Sequence, residues 1–201
     1  MEAIDEGDIH DLERRAMSVL VEAPDFLWDG RSLPVPVEDI IDSHFGLHVR
    51  EVADMSTAPG CPPLRTGQSL SGLLLAARRE IWVNAEEAAR WPARRRFTIG
   101  HELGHWVLHR DEQASLFCRH GGVDPQEDSA EEERERPPLA RIEQEANHFA
   151  AALLMPRPIV QEQYERLSRA PDTFWEMCRA FAVSGPAMSR RLRQVIPPRG
   201  A

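Results

Sequence analysis

Two histidines and a glutamate at a fixed spacing are the residues of this chain best suited to chemistry. His101, Glu102 and His105 lie in the stretch HELGH, which has the pattern H-E-x-x-H. On an α-helix, residues i and i+4 lie on one face, so both imidazoles can bind the same metal ion. Two neutral imidazoles and an oxygen ligand suit Zn²⁺, and the glutamate can act as general base on a water at the metal. The spacing therefore predicts a zinc site together with its catalytic base, Glu102.

A catalytic zinc site needs a third protein ligand, and the residues directly after the motif offer only a weak candidate. The longer pattern H-E-x-x-H-x-x-G-x-x-H is absent, because Leu108 stands in place of the glycine and Asp111 in place of the last histidine. An aspartate can bind zinc, so Asp111 stays a candidate. The other source is a glutamate on a second helix.

Residues 141–155 have the pattern of that second helix, which Pro156 ends. Its apolar face consists of Ile142, Ala146, Phe149, Ala150 and Leu153. At about 100° per residue, Glu143 lies about 60° from the centre of this face and Glu145 about 100°. Glu143 therefore points further inward and is the favoured third ligand, with Glu145 as the alternative. Asn147 follows Glu143 by one turn and is placed to hydrogen-bond a ligand histidine.

Three stretches together resemble the ImmA/IrrE family of zinc metallopeptidases: FTIGHELGHWVLH at 97–109, EQEANHFA at 143–150 and LLMP at 153–156. The likeness runs from about residue 37 to about residue 195. Members of this family resemble gluzincins, in which the third ligand is a glutamate followed four residues later by aspartate or asparagine. The resemblance therefore implies Glu143 as the ligand and Asn147 as its companion.

The same resemblance implies a zincin-like fold and a zinc-dependent endopeptidase. It also implies a substrate, a helix-turn-helix transcriptional repressor whose cleavage derepresses genes of a mobile element or a stress response. The rival hypothesis is a metal-containing regulatory module that binds a repressor or DNA without cutting. A long acidic insert over residues 119–138 departs from the family pattern. Its segment 124–136 holds seven acidic residues and two arginines, a net charge of −5, which indicates either a solvated loop or a flap that attracts a basic substrate.

Several other side chains could take part in the chemistry. His109 lies one turn after His105 and could bind substrate, stabilise the oxyanion or cap the end of its helix. His148 and Tyr164 are the other candidates for stabilising the oxyanion. Cys61 could cap the zinc as a thiolate, although a loop cysteine without a role is the simpler interpretation.

Length and composition favour a single acidic globular unit. The chain has 201 residues, a net charge of −9 and 42% hydrophobic residues. We expect a metallopeptidase domain over residues 1–158 and a C-terminal helical extension over 159–201 packed on it. The negative charge does not favour a nucleic-acid-binding surface, and three widely spaced cysteines predict no disulfide framework. Without a secretory signal or a long apolar segment, the sequence predicts a cytoplasmic protein.

Hydrophobic periodicity predicts a mostly helical α+β fold with a small three-stranded antiparallel sheet. Strands over 47–52, 69–76 and 80–84 would form an antiparallel meander. The same periodicity predicts helices at 8–22, 37–44, the motif segment, 141–155, 159–169, 173–182 and 186–195. Asn84 to Glu87 has the pattern of a capping box that begins a short helix, which Pro92 ends. The last two helices have helix-turn-helix spacing, so they could either complete the core or offer DNA four polar residues, Ser189, Arg190, Arg191 and Arg193.

Overall fold

The protein combines eight α-helices with a four-stranded sheet in the ranges that the structure, a computed structural model, describes: 4–59, 69–110, 117–121, 137–168 and 171–196. The helices are α1 (Glu6–Glu22), α2 (Val37–Phe45), α3 (Ala85–Arg90), α4 (Pro92–His109), α5 (Pro137–Leu154), α6 (Arg157–Leu167), α7 (Thr173–Phe181) and α8 (Gly185–Val195). The strands are β1 (His48–Val52), β2 (Ser69–Leu75), β3 (Glu80–Asn84) and β4 (Phe117–Gly121). The predicted α+β class, rich in helix, is confirmed.

The sheet is mixed, so the expectation of a purely antiparallel three-stranded meander is wrong. Its strand order is β1-β3-β2-β4. A short 3-10 turn, Ala76–Arg78, joins β2 to β3, and these two strands are antiparallel as predicted. β1 pairs with β3 in parallel rather than with β2. The prediction assumes that strands consecutive in sequence are neighbours in the sheet, which is usual but not universal. β4 adds an antiparallel partner on the other side of β2.

The junction between the sheet and the motif helix follows from local sequence. The side chain of Asn84 accepts a hydrogen bond of 3.1 Å from the backbone N–H of Glu87, which caps α3 as predicted. The carboxylate of Glu87 does not return to Asn84; it accepts hydrogen bonds from Ser69 and Ser71 on β2 instead. Pro92 occupies the first turn of α4, where its missing N–H costs nothing. The sheet, α3 and the start of α4 are thus tied together.

α4 and α5 pack against each other through small residues. The residues of α4 that face α5 include Gly100 and Gly104, which have no side chains to separate the helices. Ala146 and Ala150 are their small neighbours on α5. This close approach is the packing reason for two glycines in a helix interior, where each would otherwise cost about 1 kcal/mol relative to alanine.

The C-terminal helices complete the core. Met177 and Phe181 on α7 and Met188 on α8 belong to the same buried hydrophobic cluster as Phe149 on α5. Arg191 on α8 is only 2% exposed, which favours the alternative that the last two helices complete the core. It donates to the carbonyl of Met155 and forms a two-pronged ion pair with Glu13 on α1. Burial of an arginine requires such a partner.

No helix in the described ranges is long and apolar enough to cross a membrane. Asp111, Cys61 and the acidic segment 124–136 lie outside the described residues.

Candidate metal centre

The two motif histidines point their ring nitrogens at each other from one face of α4. His101 and His105 are fully buried, and their Nε2 atoms lie 3.0 Å apart. The rings are nearly perpendicular, with centroids 4.6 Å apart. The helical spacing of four residues produces this arrangement, because it places one side chain above the other.

Glu143 on α5 closes the group from the facing helix. Its Oε2 lies 3.1 Å from Nε2 of His101, and its Oε1 lies 3.2 Å from Nε2 of His105. One ligand atom from each of the three residues lies within 4.8 Å of the other two. Among the described residues, this is the one group of histidines, cysteines and acids close enough to share a metal ion.

The donor set and its dimensions fit zinc. Donors placed tetrahedrally at zinc's usual bond lengths lie about 3.3 Å from one another, and the separations here are close to that value. Burial raises the pKa of Glu143, but the hydrogen bonds from His101 and His105 outweigh burial and hold that pKa well below its usual range. Glu143 is therefore an ionised oxygen donor beside two nitrogen donors.

Asn147 fixes the orientation of the first histidine. Its Oδ1 lies 3.1 Å from Nδ1 of His101. An amide oxygen can only accept, so Nδ1 of His101 donates in this hydrogen bond, and Nε2 is the nitrogen that would offer its lone pair to a metal once it gives up its proton. Glu143 and Asn147 are one turn apart on α5, so a single helix supplies both the acidic donor and this partner of His101.

Glu102 faces the sheet. The residue is 1% exposed and follows His101 on α4. Its Oε1 lies against the backbone of Gly72 on β2, where a Cβ atom would come within 2.8 Å. Sequence reasoning did not single out Gly72, although a glycine inside a strand pattern can mark a close approach of the backbone.

The alternative candidates lie elsewhere. Glu145 is engaged by Arg141 at 2.8 Å and by Nε2 of His109 at 3.5 Å, and it does not join the ligand group. His109 is buried beside it, in agreement with a packing role. His148 is half-buried, and burial followed by the charges of nearby arginines lowers its pKa. Tyr164 is half-buried and packs against the hydrophobic core.

Three comparisons relate the chain to known proteins. A peptidase family model described as the IrrE N-terminal-like domain matches residues 64–193. The radiation response metalloprotease IrrE of Deinococcus radiodurans is 33% identical over 106 residues, which cover 53% of this chain and 29% of that protein. A Mycobacterium tuberculosis transcriptional regulator of known structure has a TM-score of 0.52 at 18% identity, covering 97% of this chain and 49% of that one. This last likeness shows a shared fold alone.

The chain spans less than a third of the length of the metalloprotease that it matches and about half of the regulator. The matched family range nevertheless covers most of the chain, including the HELGH stretch and the helix of Glu143. The family match confirms the resemblance drawn from the motifs. The chain belongs to the peptidase family of the IrrE N-terminal-like domain.

Proposed function

We propose that this chain is a zinc-dependent endopeptidase whose metal is held by His101, His105 and Glu143. The observation that carries the proposal is the meeting of these three side chains, from two packed helices, with ligand atoms within 4.8 Å of one another. Zinc bound there would act as a Lewis acid toward the scissile carbonyl and would acidify water. Membership of a peptidase family supports the same chemistry.

In this proposal Glu102 is the general base. Its carboxylate accepts a proton from the attacking water and then delivers that proton to the nitrogen of the leaving amine. It directly follows His101 on α4, so its side chain starts about 100° around the helix from that of the first ligand. The residue is 1% exposed, so the protein around it fixes the orientation of its carboxylate.

For the substrate, we propose a helix-turn-helix transcriptional repressor, cleaved in the cytoplasm to derepress mobile-element or stress-response genes. The related protein from Deinococcus radiodurans is a radiation response metalloprotease, which supports a link between proteolysis and stress. The net charge of −9 would attract a basic DNA-binding protein and would repel DNA itself. Burial of Arg191 in an ion pair also removes one of the arginines that a DNA-binding alternative would use.

Metal analysis tests the proposed ligands. We expect elemental mass spectrometry to find one zinc per chain in the wild-type protein and in Glu145→Ala. Zinc should be lost in Glu143→Ala, because that carboxylate contacts both histidines. Glu145→Ala is a matched control, since it removes an acid of the same helix two residues away. Equal zinc in all three proteins would contradict the assigned site.

Cleavage tests the proposed reaction. The chain is co-expressed with a candidate helix-turn-helix repressor, and the size of the repressor is followed on a denaturing gel. We expect a shorter repressor with the wild-type chain and an intact one with Glu102→Gln, which keeps zinc but cannot take a proton. A stable complex of two intact chains, already with the wild-type protein, would point instead to a regulatory module that binds without cutting.

A further inference from the structure

Strand β2 touches the proposed catalytic base at a position without a side chain. A Cβ atom at Gly72 would overlap Cγ2 of Thr98 and would lie 2.8 Å from Oε1 of Glu102. Carbon and oxygen atoms that are not bonded rarely come this close, so any side chain at this position would displace its neighbours. Both neighbours are buried and belong to α4, one turn apart.

Space, rather than backbone conformation, explains this glycine. In the described residues, the glycines with a positive φ angle are Gly30 and Gly46. Gly72 does not have one, so its backbone conformation is open to other residues. It lies inside the ladder, opposite Val83 of β3 on one side and Arg119 of β4 on the other. A strand paired on both sides cannot retreat from α4 without loss of hydrogen bonds, so the strand is a fixed surface for the residues that touch it.

A second feature anchors the strand at the neighbouring residue. The β2–β4 register shifts between Leu70 and Gly72, which leaves Ser71 as the extra residue of a bulge. The hydroxyl of Ser71 donates to Glu87 at 2.7 Å and accepts from Arg94 at 3.1 Å. Arg94 lies two turns before Glu102 on α4. The bulge is therefore tied to the same helix that carries the proposed base.

We propose that Gly72 is a positioning residue for Glu102: the bare backbone of β2 sets where the carboxylate of the base can lie. This inference rests on the proposed function, in which Glu102 accepts the proton. A methyl group at position 72 would push the carboxylate away, because the end of a glutamate side chain moves more easily than a strand paired on both sides. The atoms nearest to such a methyl group belong to Thr98 and Glu102, and not to the proposed zinc ligands.

The test separates the two contacts of Gly72. In Gly72→Ala, the new methyl group contacts both Thr98 and Glu102. Thr98→Ser removes the Cγ2 atom. In the double variant, the methyl group therefore contacts Glu102 without the overlap with Cγ2. Zinc-loaded wild-type protein, the two single variants and the double variant are compared by crystal structure, zinc content and melting temperature. Thr98→Ser alone is the matched control for the double variant.

We expect the double variant to bind one zinc per chain and to melt close to the Thr98→Ser control, with the carboxylate of Glu102 displaced. Cleavage of the purified candidate repressor should show kcat lowered by about tenfold or more at unchanged KM, since a 1 Å misplacement of a catalytic group costs up to about 10²-fold. A purely structural role of Gly72 predicts full recovery of kcat once Thr98 is truncated.

An unmoved Glu102 carboxylate in the double variant would overturn the inference, and so would a wild-type kcat. Glu102→Gln distinguishes this failure from failure of the proposed function. If Glu102→Gln cleaves as well as the wild type, the catalytic assignment itself is wrong. If Glu102→Gln is inactive while the double variant is fully active, only the role of Gly72 is wrong.

Discussion

The close contact between α4 and α5 predicts opposite effects for the same substitution at two neighbouring glycines. A Cβ atom at Gly100 would lie 3.6 Å from Cβ of Ala150, which is an ordinary van der Waals distance. A Cβ atom at Gly104 would lie 3.2 Å from Cα and from the carbonyl oxygen of Ala146. These are backbone atoms of the facing helix, so they cannot give way by changing a rotamer.

The magnitudes follow from two opposing terms. Replacing glycine by alanine in a helix interior stabilises the protein by about 1 kcal/mol. Overpacking a rigid contact costs about 1–3 kcal/mol. Gly100→Ala should therefore raise the free energy of unfolding by up to about 1 kcal/mol, because it lacks the second term. Gly104→Ala should lower it by up to about 2 kcal/mol, which for a chain of this length corresponds to a melting temperature reduced by several degrees.

Denaturant unfolding of the two variants, with and without zinc, measures the difference. Gly104→Ala should also weaken zinc binding, because it separates His105 on α4 from Glu143 on α5. Gly100→Ala should leave zinc affinity unchanged and is the matched control. The reasoning is refuted if Gly104→Ala is as stable as Gly100→Ala and binds zinc equally well.

Two further predictions concern the partners of buried groups. Burial raises the pKa of Glu13, but the hydrogen bond and charge of Arg191 outweigh burial and lower that pKa below its ordinary value of 4.5. The ion pair therefore stabilises the fold above about pH 4.5 and is lost as the pH falls through the lowered folded-state pKa. Glu13→Gln should reduce stability at pH 7 by about 1–3 kcal/mol and flatten its decline in acid, measured by unfolding at several pH values; an unchanged acid profile would contradict this. Asn147→Ala should weaken zinc binding by about 10–100-fold in competition titrations, because His101 loses its orienting acceptor, whereas Asn147→Asp should bind nearly as well as the wild type.

Local spacing explains why much of the helical structure, and the proximity of the three candidate ligands, could be predicted. The i, i+4 relation of His101 and His105 depends only on helix geometry, and the structure places both rings together. Helix geometry also distinguishes Glu143 from Glu145 on α5. Each residue turns the helix by about 100°, so the two side chains point in different directions relative to the apolar face. Helix ends at Asn84 and Pro92 likewise depend on neighbours in sequence.

Contacts between distant segments could not be predicted in this way. The parallel pairing of β1 with β3 leaves no periodic signal, because alternation within a strand is the same for either direction of its neighbour. Arg191 illustrates the same limit for charged residues. Arginine is usually exposed, and nothing local reveals that its partner Glu13 lies 178 residues away on α1.

The candidate metal ligands His101, His105 and Glu143 and part of the hydrophobic core both depend on the contact between α4 and α5. Gly100 and Gly104 each precede a ligand histidine by one residue, so the face that admits α5 and the face that offers the imidazoles are about 100° apart on α4. Because the glycines let α5 approach, the carboxylate of Glu143 reaches both histidines across the interface. Changes that widen this interface should therefore lower stability and zinc affinity together, whereas Glu143→Ala should lower zinc affinity without moving the helices apart.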